Sequence, residues 1–122
     1  MTNMRRGAAA VLLLAAVGGW TGVAWANHFT EACASELNAL ETTIENGVFL
    51  GKNASTDQSN LLAKLEAAAV KVGLNKYDDA VDKLQNISDT ATALADAPKQ
   101  KLEDASGING AVVTAIGCVG GL

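Results

Sequence analysis

Arginine is nearly missing from this chain: Arg5 and Arg6 are the only two. There is one histidine, His28, one proline, Pro98, and two cysteines, Cys33 and Cys118, and aromatics make up 4% of 122 residues. Each scarcity excludes a chemistry. One histidine builds neither a histidine metal pair nor a Glu-x-x-His diiron motif. Haem has no Cys-x-x-Cys-His to attach to and no methionine beyond Met4 as axial ligand. Serines 35, 55, 59, 88 and 106 have only His28 as a possible base, and no nucleophile-elbow motif surrounds any of them. No stretch sustains the period-two alternation of a strand, so no sheet is expected.

What is present begins with an export signal. Arg5 and Arg6 precede the uncharged run "AAAVLLLAAV" from Ala8 to Val17, and "AWA" at Ala24 to Ala26 offers small residues for a signal peptidase. The run falls short of the ~20 apolar residues that span a bilayer, so a cleavable leader (1–26) is expected rather than an anchor. The mature part, 27–122, then reads as a single domain, periplasmic or extracellular, exported by the general secretory route. Of nine basic residues the two arginines leave with the leader; seven lysines then face thirteen acids, a net charge of −6. So acidic a chain lacks the basic footprint that nucleic acid or an anionic membrane requires.

Four segments carry helical periodicity. The first stripe is Phe29, Cys33, Leu37, Leu40, Ile44 and Val48, followed by a loop at Gly51 to Ala54. "STDQ" at Ser55 to Gln58 has the form of a capping box. The second helix buries Leu61 or Leu62, Leu65, Ala68, Ala69 and Val72, and Gly73 suits its left-handed stop. Asn75 is expected to cap the third, with Asp78 and Asp79 favoured by the helix dipole. Its stripe runs Tyr77, Ala80, Val81, Leu84, Ile87, Ala91 and Leu94. Asp96 and Pro98 mark the next start. The fourth stripe is Leu102, Ala105, Ile108, Val112, Ile116 and Val119, where Gly107, Gly110 and Gly117 each cost about 1 kcal/mol relative to alanine and a break near Gly107 is expected.

Short connections make sequential helices antiparallel, so the fold class is all-α, an up-down-up-down four-helix bundle. Three helices plus an irregular C-terminal segment is the alternative. The start of the first helix and the end of the fourth share one end of such a bundle, where Cys33 and Cys118 lie. An oxidising compartment favours their pairing, and the closed loop is worth on the order of 4 kcal/mol in the chain-entropy model.

The "LLAKLEAA" run at Leu61 to Ala68, the "NKYDDAVDKL" run at Asn75 to Leu84 and the "NIS" that follows resemble the FIMAH-type helical hairpin of secreted bacterial proteins. The likeness covers roughly residues 60–88. It implies an extracytoplasmic accessory or interaction module, carries over no catalytic residue, and departs from the family habit in that two further helices enclose the hairpin.

Other candidates have a bland competitor that weighs more. His28, second residue after cleavage, could hold Cu(II) with the free amine; terminal fraying is the preferred reading. Glu41 with Glu45, and Asp78 with Asp82, stand one turn apart, but off the apolar stripes they read as solvated faces. "NASTDQSN" at Asn53 to Asn60 lacks a calcium loop's glycine and places Lys64 at the bidentate glutamate position. The sequons at Asn53 and Asn86 read as coincidence. No catalytic, cofactor or metal residue is assigned, and the disulfide Cys33–Cys118 is the one site. The expected function is a non-catalytic interaction or structural module that binds an envelope or extracellular protein or its own copies. The alternative is a small-ligand carrier with a cavity between the helices.

Overall fold

The computed structural model describes residues 28–122; the leader reading of 1–26 and a mature start at Asn27 lie outside them. The chain divides into two compact units, Met1–Thr30 and Glu31–Leu122. In the first, the rings of His28 and Phe29 lie 4.0 Å apart, tilted by 39°.

The second unit is an all-α bundle of four helices: α1 (Ala34–Glu45), α2 (Ala54–Gly73), α3 (Tyr77–Asp96) and α4 (Ser106–Gly120). Each helix packs on its neighbours in sequence, and α4 returns to α1, which closes the ring. The apolar stripes meet along its axis. Leu37, Leu40, Ile44, Leu61, Leu65, Leu84 and Ile87 are completely buried, each worth about 1.5–3 kcal/mol over leaving it in water. Leu61 faces in and Leu62 does not, which settles that alternative.

The two ends of the bundle are held differently. At one end the expected Cys33–Cys118 disulfide is present, with Cα atoms 6.0 Å apart across 85 residues of sequence. At the other end the α1–α2 and α3–α4 connections pair in one isolated antiparallel bridge, Phe49 with Leu102. The Leu50 N–H donates to the Lys101 carbonyl and the Glu103 N–H to the Val48 carbonyl, each at 2.9 Å. Period-two alternation could not announce a contact one residue long.

Several local expectations are corrected. Phe29 and Cys33 precede α1, and Cys33 stands at its N-cap with φ 63°; Val48 lies beyond it and is half exposed. Residues 34–45 are the part of that stripe whose spacing meets α2 and α4. Helix α2 starts at Ala54, so Ser55 is already inside the helix and forms no capping box. Gln58 instead donates to the carbonyls of Ile44 (3.0 Å) and Glu45 (3.1 Å), where the last carbonyls of α1 run short of N–H donors within the helix.

Gly73 is the last helical residue of α2 rather than its stop. The left-handed position belongs to Asn75 (φ 62°), whose N–H donates to the Val72 carbonyl while the Lys76 N–H reaches Lys71 at 2.9 Å. That is the Schellman pattern with asparagine in the glycine position. Asn75 therefore closes α2, and its Oδ1 accepts from the Tyr77 hydroxyl at 2.8 Å instead of capping α3. Helix α4 begins only at Ser106, well after Pro98, because Leu102 is taken by the bridge. Gly107 thus falls in its first turn and no break occurs there; Ala115 rather than Ile116 is the fully buried residue.

Candidate functional site

The antiparallel hairpin of α2 and α3 brings side chains into register that lie far apart in sequence. On α2, Lys64 and Lys71 are two turns apart with Ala67 between them; on α3, Asp79, Asp82, Lys83 and Asn86 follow the same helical spacing. Together they line a groove of about 520 Å³ on the outer face of the hairpin. A second concavity of about 490 Å³ shares Lys64 and Ala67 and continues past Asn60, Ala63 and Thr90 to Asp57 and Leu94. The result is one trough along the hairpin.

Its electrostatics are mixed. Lys71 Nζ and Asp79 Oδ2 stand 3.9 Å apart, and the carboxylate is more than half exposed; such a pair contributes at most about 1 kcal/mol. Lys64 and Lys83 form no ion pair among the described residues. At the far end Asp57 occupies the first turn of α2, where the helix dipole favours a carboxylate. Its Oδ2 is covered and has no hydrogen-bond partner among the described residues. The trough can hold charged groups of both signs, yet it contains no nucleophile–base pair.

A smaller concavity of about 340 Å³ opens beside the loop bridge, lined by Thr43, Asn46, Glu103 and Asp104 among others. The Ser106 backbone N–H donates to Asp104 Oδ1 at 2.9 Å. That bond, and a second from the Ser106 side chain, hold the Asp104 carboxyl below the usual carboxylate range. The carboxylate, one residue ahead of the N-cap Ala105, thus satisfies the first backbone N–H of α4 rather than standing as an acid poised for chemistry.

The remaining sequence candidates are dispersed. Glu41, expected on a solvated face, is 7% exposed beside the apolar stripe of α1, while Glu45 is exposed. Asp78 and Asp82 are both exposed. Residues 54–60 of the rejected calcium-like stretch are helical. Asn53 is exposed in the loop before α2, and Asn86 lies in the trough. The Glu36 carboxylate comes within 4.8 Å of both cysteine sulfurs, but a disulfide has no thiolate to offer a metal. Ser88, one of the serines without a base, donates to Asn109 Oδ1 at 2.8 Å, and Asn109 Nδ2 donates to Thr92 at 3.1 Å. This clip joins α3 to α4, and only their packing could have revealed it.

No described helix is long and apolar enough to cross a membrane. Compared with known proteins, the chain matches no family model, no curated protein and no solved structure.

Proposed function

We propose that the chain is a small exported, non-catalytic interaction module that binds another envelope or extracellular protein or its own copies. The observation that carries this reading is where the polar groups converge. The bundle axis is taken up by fully buried apolar side chains, whereas the described concavities open outward, with lysines, aspartates and an asparagine lining the α2–α3 trough. Recognition then belongs to the surface. The disulfide supports export, since such bonds persist in oxidising compartments. The resemblance of residues 60–88 to secreted helical hairpins points the same way.

A carrier of a small ligand between the helices is the weaker reading, because such a site needs polar anchors converging on an interior cavity. Affinity capture with the disulfide-bonded protein from its own host's envelope, read by mass spectrometry beside analytical ultracentrifugation, tests the proposal. It predicts either one protein retained in stoichiometric amount or a reversible homo-oligomer. A monomer that retains no protein, and that carries a small molecule in native mass spectra, would overturn it in favour of the carrier.

A further inference from the structure

The crosslinked end of the bundle gathers more than two sulfurs. Glu36 stands three residues after Cys33, in the first turn of α1, so both side chains share one face of that helix. Cys118 arrives from the last turn of α4. The two sulfurs and a Glu36 carboxylate oxygen all lie within 4.8 Å of one another, and all three residues are half-buried rather than sealed off. Cys33 also carries a backbone cost. Its φ of 63° lies in the left-handed region, which among the described non-glycine residues it shares only with Asn75. Asparagine tolerates that region through its short polar side chain. Cysteine has no such aid and adopts it only where its surroundings impose it. Accessible sulfurs on a constrained backbone mark a bond that can be reduced rather than an inert one.

We infer that reduction converts the Cys33–Cys118 crosslink into a zinc site, with both thiolates and the Glu36 carboxylate as ligands and water in the fourth position. Thiolates select zinc over calcium or magnesium, and three protein ligands with one open position suit its tetrahedral geometry. With Zn–S bonds of about 2.3 Å the sulfurs must part to about 3.8 Å. That separation is within reach of side-chain rotation for Cα atoms 6.0 Å apart. The helix ends suit the charges as well. Two of the anionic ligands sit at the N-terminal end of α1, and the cation lies beside the last turn of α4, which carries no base to repel it.

The chemistry balances with a dithiol as reductant. One of its thiolates attacks a sulfur of the crosslink and frees the other as a thiolate. Its second thiol then closes the reductant's own disulfide and releases the remaining cysteine, so two electrons pass from the dithiol to the Cys33–Cys118 bond. Zinc replaces the two thiol protons, which go to solvent, and no further electron moves.

The test starts from the disulfide-bonded protein, reduced anaerobically with a phosphine and titrated with zinc chloride against a chromophoric chelator. One equivalent per chain should bind the reduced protein and none the oxidised one, and zinc should raise the melting temperature of the reduced form alone. Co(II) in place of zinc should give thiolate-to-metal charge-transfer bands and the intense visible bands of a tetrahedral site. Glu36→Gln keeps both thiols and should weaken zinc by at least the roughly tenfold that loss of an outer-shell partner costs. Cys118→Ser should abolish the cobalt charge-transfer signature of a dithiolate. If helicity falls on reduction, one equivalent of zinc should restore it.

Equal binding by the oxidised protein, one metal per two chains, full affinity in Glu36→Gln, an octahedral cobalt spectrum, or a crosslink that resists the reductant until the chain is denatured would each overturn the inference. The site shares no residue with the α2–α3 trough, so its failure would leave the interaction-module reading as it stands.

Discussion

The side-chain amide of Gln58 donates to the Ile44 carbonyl at 3.0 Å, so that a residue of α2 closes the end of α1. One side chain thereby satisfies two backbone acceptors, since the Glu45 carbonyl also receives it. Gln58→Ala leaves both without that donor and should cost about 1 kcal/mol, the usual net worth of such a bond. Urea unfolding would read this as a lower midpoint at constant slope; an unchanged midpoint would mean that solvent replaces the amide without loss.

The Cys33–Cys118 bond spans 85 residues and pins the start of α1 to the end of α4. Reduction, or Cys33→Ser with Cys118→Ser, should remove about 4–5 kcal/mol in the chain-entropy model. Helicity should persist in circular dichroism, because the apolar stripes and the loop bridge remain. A reduced chain without helical signal would show that the core alone is insufficient.

Two glycines should respond in opposite directions. A Cβ on Gly47 would sit 2.9 Å from the Phe49 ring and 3.2 Å from the Ile44 carbonyl, so Gly47→Ala should destabilise by about 1–3 kcal/mol through overpacking of the bridged loop. Gly117, inside α4, has nothing within 4 Å of the same position. Gly117→Ala should stabilise by about 0.5–1 kcal/mol through the cost of glycine in a helix. Thermal melts of both variants check the pair.

The lowered Asp104 carboxyl ties stability to pH. Its folded value lies below its unfolded one, so its contribution is complete above the unfolded value and is lost as pH falls through the folded value. Asp104→Ala should therefore lower the urea midpoint at neutral pH, and the gap to the parent protein should close in acid. A gap independent of pH would assign the effect to packing.

Apolar spacing made the helix count, helix order and buried stripes legible, and the positions of Cys33 and Cys118 independently fixed which ends meet. Helix ends were less legible because their partners are tertiary. Ser55 and Gln58 have capping-box spacing, yet α1 offers Gln58 acceptors that only the folded chain brings near. Leu74 extends the segment beyond Gly73, so the left-handed turn moves to Asn75. Leu102 follows the α4 stripe, but the bridge to Phe49 claims it. The trough was not legible at all: Lys64 and Lys83 belong to different helices, and only the antiparallel register sets them on opposite walls.

The most direct test of the central claim, that this bundle recognises a partner protein through its α2–α3 surface, is photo-crosslinking in the host's own envelope. A photoreactive residue placed at Ala63 should give one dominant protein adduct, and the same probe at the exposed Val113 of α4 should give none. No protein adduct at Ala63, or equal adducts at both positions, would contradict the account.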